Sequence, residues 1–99
     1  MLKHIIMWVF KDEYEGGTKA ENIAKGKALL EGCVNVVPGQ HRFELWTAGM
    51  PGCTADLMLY SEFEDEAALK AYREHPTHVA LMPFMKGAVS GRMCMDYID

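Results

Sequence analysis

Tyr72, His75 and His78 place one phenol and two imidazoles within the stretch Ala71-Tyr72-Arg73-Glu74-His75-Pro76-Thr77-His78, on either side of a helix break. These side chains are suited to moving protons near neutral pH, imidazole above all. No other segment of the chain gathers as much usable chemistry. The chemistry such groups offer is general acid–base catalysis, with an imidazole as the candidate base.

Two other readings use the same residues. Tyr72 and His78 could simply satisfy backbone groups where two helices join. His75-x-x-His78 has a spacing usable by a metal ion, but no cysteine or carboxylate falls at a regular interval beside it and Pro76 splays the rings. No metal site is therefore assigned. His75 itself precedes a proline and reads as a structural helix cap.

The elements around this stretch decide whether the groups meet. Asp65 fits an N-cap, and Glu66–Glu74 then forms a helix that turns Ala68, Leu69 and Tyr72 inward. Pro76 opens a new helix as its first residue. His78 falls in its first turn, where the positive end of the helix dipole disfavours a protonated ring, so it should titrate below about 6.5. This helix is expected to be short, because Pro83 would clash with the carbonyl of Val79. Its apolar side is Leu81, Met82, Phe84 and Met85.

At the other end of the chain, Leu2–Phe10 reads as a strand with faces Leu2/His4/Ile6/Trp8/Phe10 and Lys3/Ile5/Met7/Val9. Both faces are mostly apolar, so both should be covered. A histidine on such a face is ordinarily a hydrogen-bonded core residue. If the face looks toward the helices, His4 joins Tyr72 and His78. Ile6, Trp8, Leu81 and Met82 then line the same cavity.

Lys11–Gly17 reads as a polar loop. Thr18 and Glu21 form a capping box for a helix over Lys19–Glu31, with Ala20, Ile23, Ala24 and Leu30 as its buried stripe. Gly26 in mid-helix marks close approach by a neighbour, and Gly32 ends the helix. After the turn Val36–Gly39 come strands His41–Thr47 and Asp56–Phe63, joined by a Gly/Pro loop. A last strand covers Gly91–Ile98. The order is strand, helix, strand, strand, two helices, strand. That is the α+β, ferredoxin-like βαββαβ pattern, a four-stranded antiparallel sheet with helices on one face. Its other face would be bare and apolar, which calls for a homodimer closing sheet to sheet.

Composition bounds the rest. At 99 residues, 49% apolar and 24% charged, the chain is one globular domain spanning residues 1–99. A net charge of −4 with no basic stripe argues against nucleic acid. No apolar run reaches the roughly 20 residues of a membrane span, and no signal peptide is evident. Cys33, Cys53 and Cys94 are odd in number and lack CxxC spacing, so free thiols in a reducing cytoplasm are expected. Cys33 and Cys94 should be small buried apolar residues.

Several blocks together resemble the stress-responsive dimeric α/β barrel (Dabb) family. They are Lys3-His4-Ile5, Phe10-Lys11-Asp12-Glu13, Val37-Pro38-Gly39, Tyr60-Ser61-Glu62-Phe63, Tyr72-x-x-His75-Pro76-x-His78 and Asp96-Tyr97. The resemblance implies a ferredoxin-like protomer that pairs through its sheet into a barrel. Most members have no assigned reaction, while one plant member is a polyketide cyclase that closes a linear polyketide by aldol condensation. Its base histidine, neighbouring tyrosine and first-strand histidine fall by motif position on His78, Tyr72 and His4. Where that cyclase lines its pocket with aromatic residues from the first helix, this chain has Ala24, Ala28 and Leu29, so its substrate should differ. Two function classes stand: a small cofactor-free enzyme whose His78, helped by Tyr72 and with His4 contributing, removes a proton next to a carbonyl, as in aldol cyclisation or isomerisation, or a dimer that binds an apolar metabolite or serves a stress-related role without catalysis.

Overall fold

The structure, a computed structural model, describes residues 1–99. In chain order the elements are β1 (Leu2–Phe10), β2 (Glu13–Tyr14), β3 (Gly17–Thr18), α1 (Lys19–Glu31), β4 (Gln40–Thr47), β5 (Leu57–Phe63), α2 (Glu66–Glu74), α3 (Pro76–Ala88) and β6 (Val89–Ile98). The four long strands make one antiparallel sheet in the order β4-β5-β1-β6. This is the ferredoxin-like α+β fold, with three helices against a four-stranded sheet.

Period-two alternation in the central strands separates the two faces. Leu2, His4, Ile6, Trp8 and Phe10 of β1 are buried, as are Leu57, Leu59, Ser61 and Phe63 of β5. The apolar ones pack with Leu69, Tyr72, Leu81 and Met85 of the helices into a single core. The opposite face carries Met7, Val9, Trp46, Met93, Met95 and Tyr97 in the open; Met93 is 78% and Met95 66% exposed. Part of its β4–β5 half is polar: Arg42 lies 2.8 Å from Glu44 and 3.7 Å from Glu62, and sits over the Tyr60 ring.

Three expectations change. The polar loop after β1 holds a small hairpin, β2–β3, turned by Glu15 and Gly16 with φ of 50° and 80°; two consecutive positive φ values are what a tight primed turn demands. Helix α1 is capped as expected, with Thr18 Oγ1 accepting from the Glu21 N–H at 3.1 Å and the Glu21 carboxylate accepting from the Thr18 N–H at 2.9 Å. Yet its buried face is Asn22, Gly26 and Leu30, with Ala20 and Ala24 exposed. The Asn22 amide donates to the carbonyls of Tyr14 and Gly17, so the hairpin sets the rotation of the helix.

The third change is helix α3, which is not short. It passes through Pro83 and reaches Ala88. Pro83 is exposed, and Val79, whose carbonyl loses its partner, is exposed as well. The orphaned carbonyl can turn to water, while Leu81, Met85 and Ala88 bury the other face of the helix. Extension by one and a half turns lengthens the wall of the cavity described next.

Candidate active site

Between the helices and the β1–β6 half of the sheet lies a cavity of about 530 Å³. Its apolar wall includes Ile6, Trp8, Leu59, Leu81, Met82 and Met85, and its polar groups include His4, Tyr72 and His78. All seven residues singled out from the sequence (His4, Ile6, Trp8, Tyr72, His78, Leu81 and Met82) line this one space.

Tyr72 sits on the inward face of α2 and is 1% exposed. Its ring packs against Phe43, Phe63 and His78, with centroids 5.5, 5.3 and 4.7 Å away. The hydroxyl has no hydrogen-bonding partner in the chain, and no buried polar side-chain atom is left unpartnered, so it opens into the cavity. Burial pushes the phenol well above its ordinary value. It therefore stays protonated as a donor.

His75 caps both helices at their junction, ending α2 and starting α3 while its Nδ1 accepts the Thr77 N–H at 3.1 Å. The bend it makes brings His78 back over α2. There Nδ1–H of His78 donates to the Arg73 carbonyl at 3.0 Å, which fixes the tautomer and leaves Nε2 as the basic nitrogen. The ring is held below its ordinary value of 6.5, as expected from the sequence. The main cause is burial rather than the helix end, and charge on His4, Arg73 and Arg92 adds to it.

His4 is 1% exposed and reaches the cavity from β1. Its Nδ1 meets Oδ1 of Asp96 on the neighbouring strand β6 in a short hydrogen bond. Arg73 holds the other carboxylate oxygen at 3.1 Å. Burial lowers the His4 pKa more than Asp96 raises it. At Asp96 burial acts the other way, but the His4 hydrogen bond and the Arg73 charge prevail and hold the carboxyl below its ordinary value. Neutral imidazole against ionised carboxylate follows, with Nδ1–H donating and Nε2 free.

Asp96 was missed as a site residue. The sequence marked Asp96-Tyr97 only as a closing block, and no local pattern pairs it with His4. Cys94, expected to be buried, is exposed, whereas Cys33 is fully buried. Cys94 Sγ lies 3.9 Å from His4 Nδ1 and 3.6 Å from Asp96 Oδ1. This is the one group of three or more His, Cys or acidic side chains with donor atoms close enough to hold a metal ion, all within 4.8 Å of one another. It is not the His75–His78 pair weighed from the sequence, because His75 turns its Nδ1 to the backbone.

The family model of the stress-responsive A/B barrel domain, Dabb, matches residues 2–99. The chain belongs to the Dabb family. Solved structures share the fold of this Dabb domain along nearly its whole length. A dimeric protein of ferredoxin-like fold from Bacteroides fragilis is 28% identical, with a TM-score of 0.85 over 99% of this chain and 95% of that one. A Dabb protein from Mesorhizobium loti is 22% identical, with a TM-score of 0.70 over 99% and 95% of the two chains. The hydroxynitrile lyase of Passiflora edulis is 16% identical, with a TM-score of 0.76 over 99% and 92%. No curated protein matches this Dabb domain in sequence. None of its helices is long and apolar enough to cross a membrane.

Proposed function

We propose that this Dabb domain binds a small, largely apolar carbonyl compound between its helices and sheet and moves a proton on it. The observation that supports this most directly is the pairing of the two imidazoles. His4 and His78 line one cavity, each with Nδ1–H already used and Nε2 left as a base. Tyr72 would donate its hydroxyl hydrogen to the ligand's carbonyl oxygen, making the adjacent C–H more acidic. His78 Nε2 would accept that proton, with His4 and Asp96 as a second relay. The size fits, since small-molecule sites span roughly 300–1,000 Å³. Ile6, Trp8, Leu81 and Met82 would hold the apolar part.

The same reading takes the working unit to be a homodimer closed through the outer sheet face. The apolar side chains exposed there support it, as does the dimeric state of the Bacteroides fragilis relative.

The test is exchange of α-protons for deuterium in a linear β-triketone, followed by NMR with wild-type protein and His78→Ala. Accelerated exchange that His78→Ala abolishes, with the fold and ligand binding retained, supports proton transfer. Binding without exchange in either protein leaves the non-catalytic binder, the reading that the mainly apolar lining also supports. No binding at all removes both.

A further inference from the structure

The charged side chains that line the cavity are all basic. Arg73, Lys86 and Arg92 line it, and no aspartate or glutamate does. This runs against the chain's balance of 14 acidic to 10 basic residues. Arg73 is occupied by Asp96 at 3.1 Å. Lys86 and Arg92 take part in none of the chain's ion pairs.

Both free cations line the cavity from elements that follow one another in the chain. Lys86 lies in the last turn of α3, and Arg92 follows a few residues later on β6, opposite Trp8 in register. Gly91 and Ser90, which also line the cavity, connect them. The apolar wall of Ile6, Trp8, Leu81 and Met85 shares the same space with Tyr72 and His78.

Both cations are exposed and unpaired, so each is free to meet a charged group of a ligand in the cavity. We propose that the ligand is an apolar chain ending in a carboxylate, and that Lys86 and Arg92 hold that carboxylate. The proposal rests on the binding reading above and narrows its ligand class. Arg92 can offer paired N–H donors to a carboxylate, and Lys86 a point charge. Arg92 is near enough to depress both cavity imidazoles, so a carboxylate beside it would partly restore their basicity.

The experiment compares two probes of equal chain length, decanoate and decanol, by calorimetry on the full chain at low salt. Decanoate should bind roughly tenfold more tightly. Raising the salt should narrow the gap, because exposed charges are screened beyond about 10 Å at 0.1 M. In K86M/R92M decanoate should weaken to the decanol value while decanol binding is unchanged. Both side chains are exposed, so the variant should fold, and circular dichroism checks this. As a second readout, decanoate should raise the His78 pKa by NMR and decanol should not. Equal binding of the two probes overturns the carboxylate but leaves the apolar cavity reading intact. A preference that persists in K86M/R92M overturns the assignment to these two residues. If neither probe binds, the binding reading fails and this inference goes with it.

Discussion

His4 and Asp96 stand directly opposite each other on adjacent antiparallel strands, and Nδ1 of the one is hydrogen-bonded to Oδ1 of the other. A buried imidazole is thereby given a fixed tautomer by a carboxylate that Arg73 steadies from the far side. Asp96 is the only group that raises the His4 pKa, working against burial and against the charges of Arg73 and Arg92. Asp96→Asn should therefore lower the His4 pKa still further, read by NMR titration of the ring. An unchanged or higher pKa would show that the pair is not coupled.

Stability should fall on mild acidification. His4 and His78 both titrate below 6.5 when folded, so the unfolded chain binds more protons just under that pH. Their contribution is complete above 6.5 and declines as the pH drops below it. The groups facing them are Asp96, Arg73 and Arg92. Asp96 is depressed below its ordinary 3.8, so its contribution is lost later, at still lower pH. The urea midpoint should be lower at pH 5.5 than at pH 7.5, and His78→Gln should flatten part of that slope. A midpoint that rises on acidification contradicts the assignment.

Charge on the outer sheet face should split the homodimer proposed above. Met93 and Met95 are exposed there and bear no load in the protomer core. In a dimer closed through this face, Met93→Glu would bury a carboxylate in each protomer without a partner. By analytical ultracentrifugation the mass should drop from twice 11.1 kDa to 11.1 kDa, with the fold intact. A wild-type protein that is already monomeric at micromolar concentration ends the sheet-to-sheet reading.

Gly26→Ala should destabilise, although alanine is the better helix former by about 1 kcal/mol. The added Cβ would stand 3.0 Å from the Phe10 ring and 3.2 Å from Met85 Sδ. Methionine can move aside, but the Phe10 ring is fixed in the core. Overpacking of this kind costs about 1–3 kcal/mol, so a net loss near 1 kcal/mol is expected. Thermal unfolding should shift down by roughly 4–8 °C. A rise would mean that the two layers have slack.

Breaking the α1 cap should cost less than disturbing the core. Thr18→Ala removes one acceptor and leaves the Glu21 N–H to water at an exposed site. About 1 kcal/mol is expected, seen as a lower urea midpoint. A loss several times larger would mean that the β2–β3 hairpin depends on the cap.

Local rules alone determined much of this protein. Alternation in β1 put His4, Ile6 and Trp8 on one face, the capping box started α1, and Asp65 with helical spacing turned Tyr72 inward. Pro76 opened α3 and placed His78 after the bend, because proline constrains its immediate neighbours whatever the fold. The tertiary structure decided what depends on distant chain. Asp96 meets His4 across 92 residues, and only strand register brings them level. Asn22, not the alanines, faces inward on α1 because the hairpin carbonyls claim its amide. Helix α3 continues past Pro83 because burial of Leu81, Met85 and Ala88 outweighs one lost hydrogen bond on its wet side. Lys86 and Arg92 line the same cavity because that longer helix leads straight into β6.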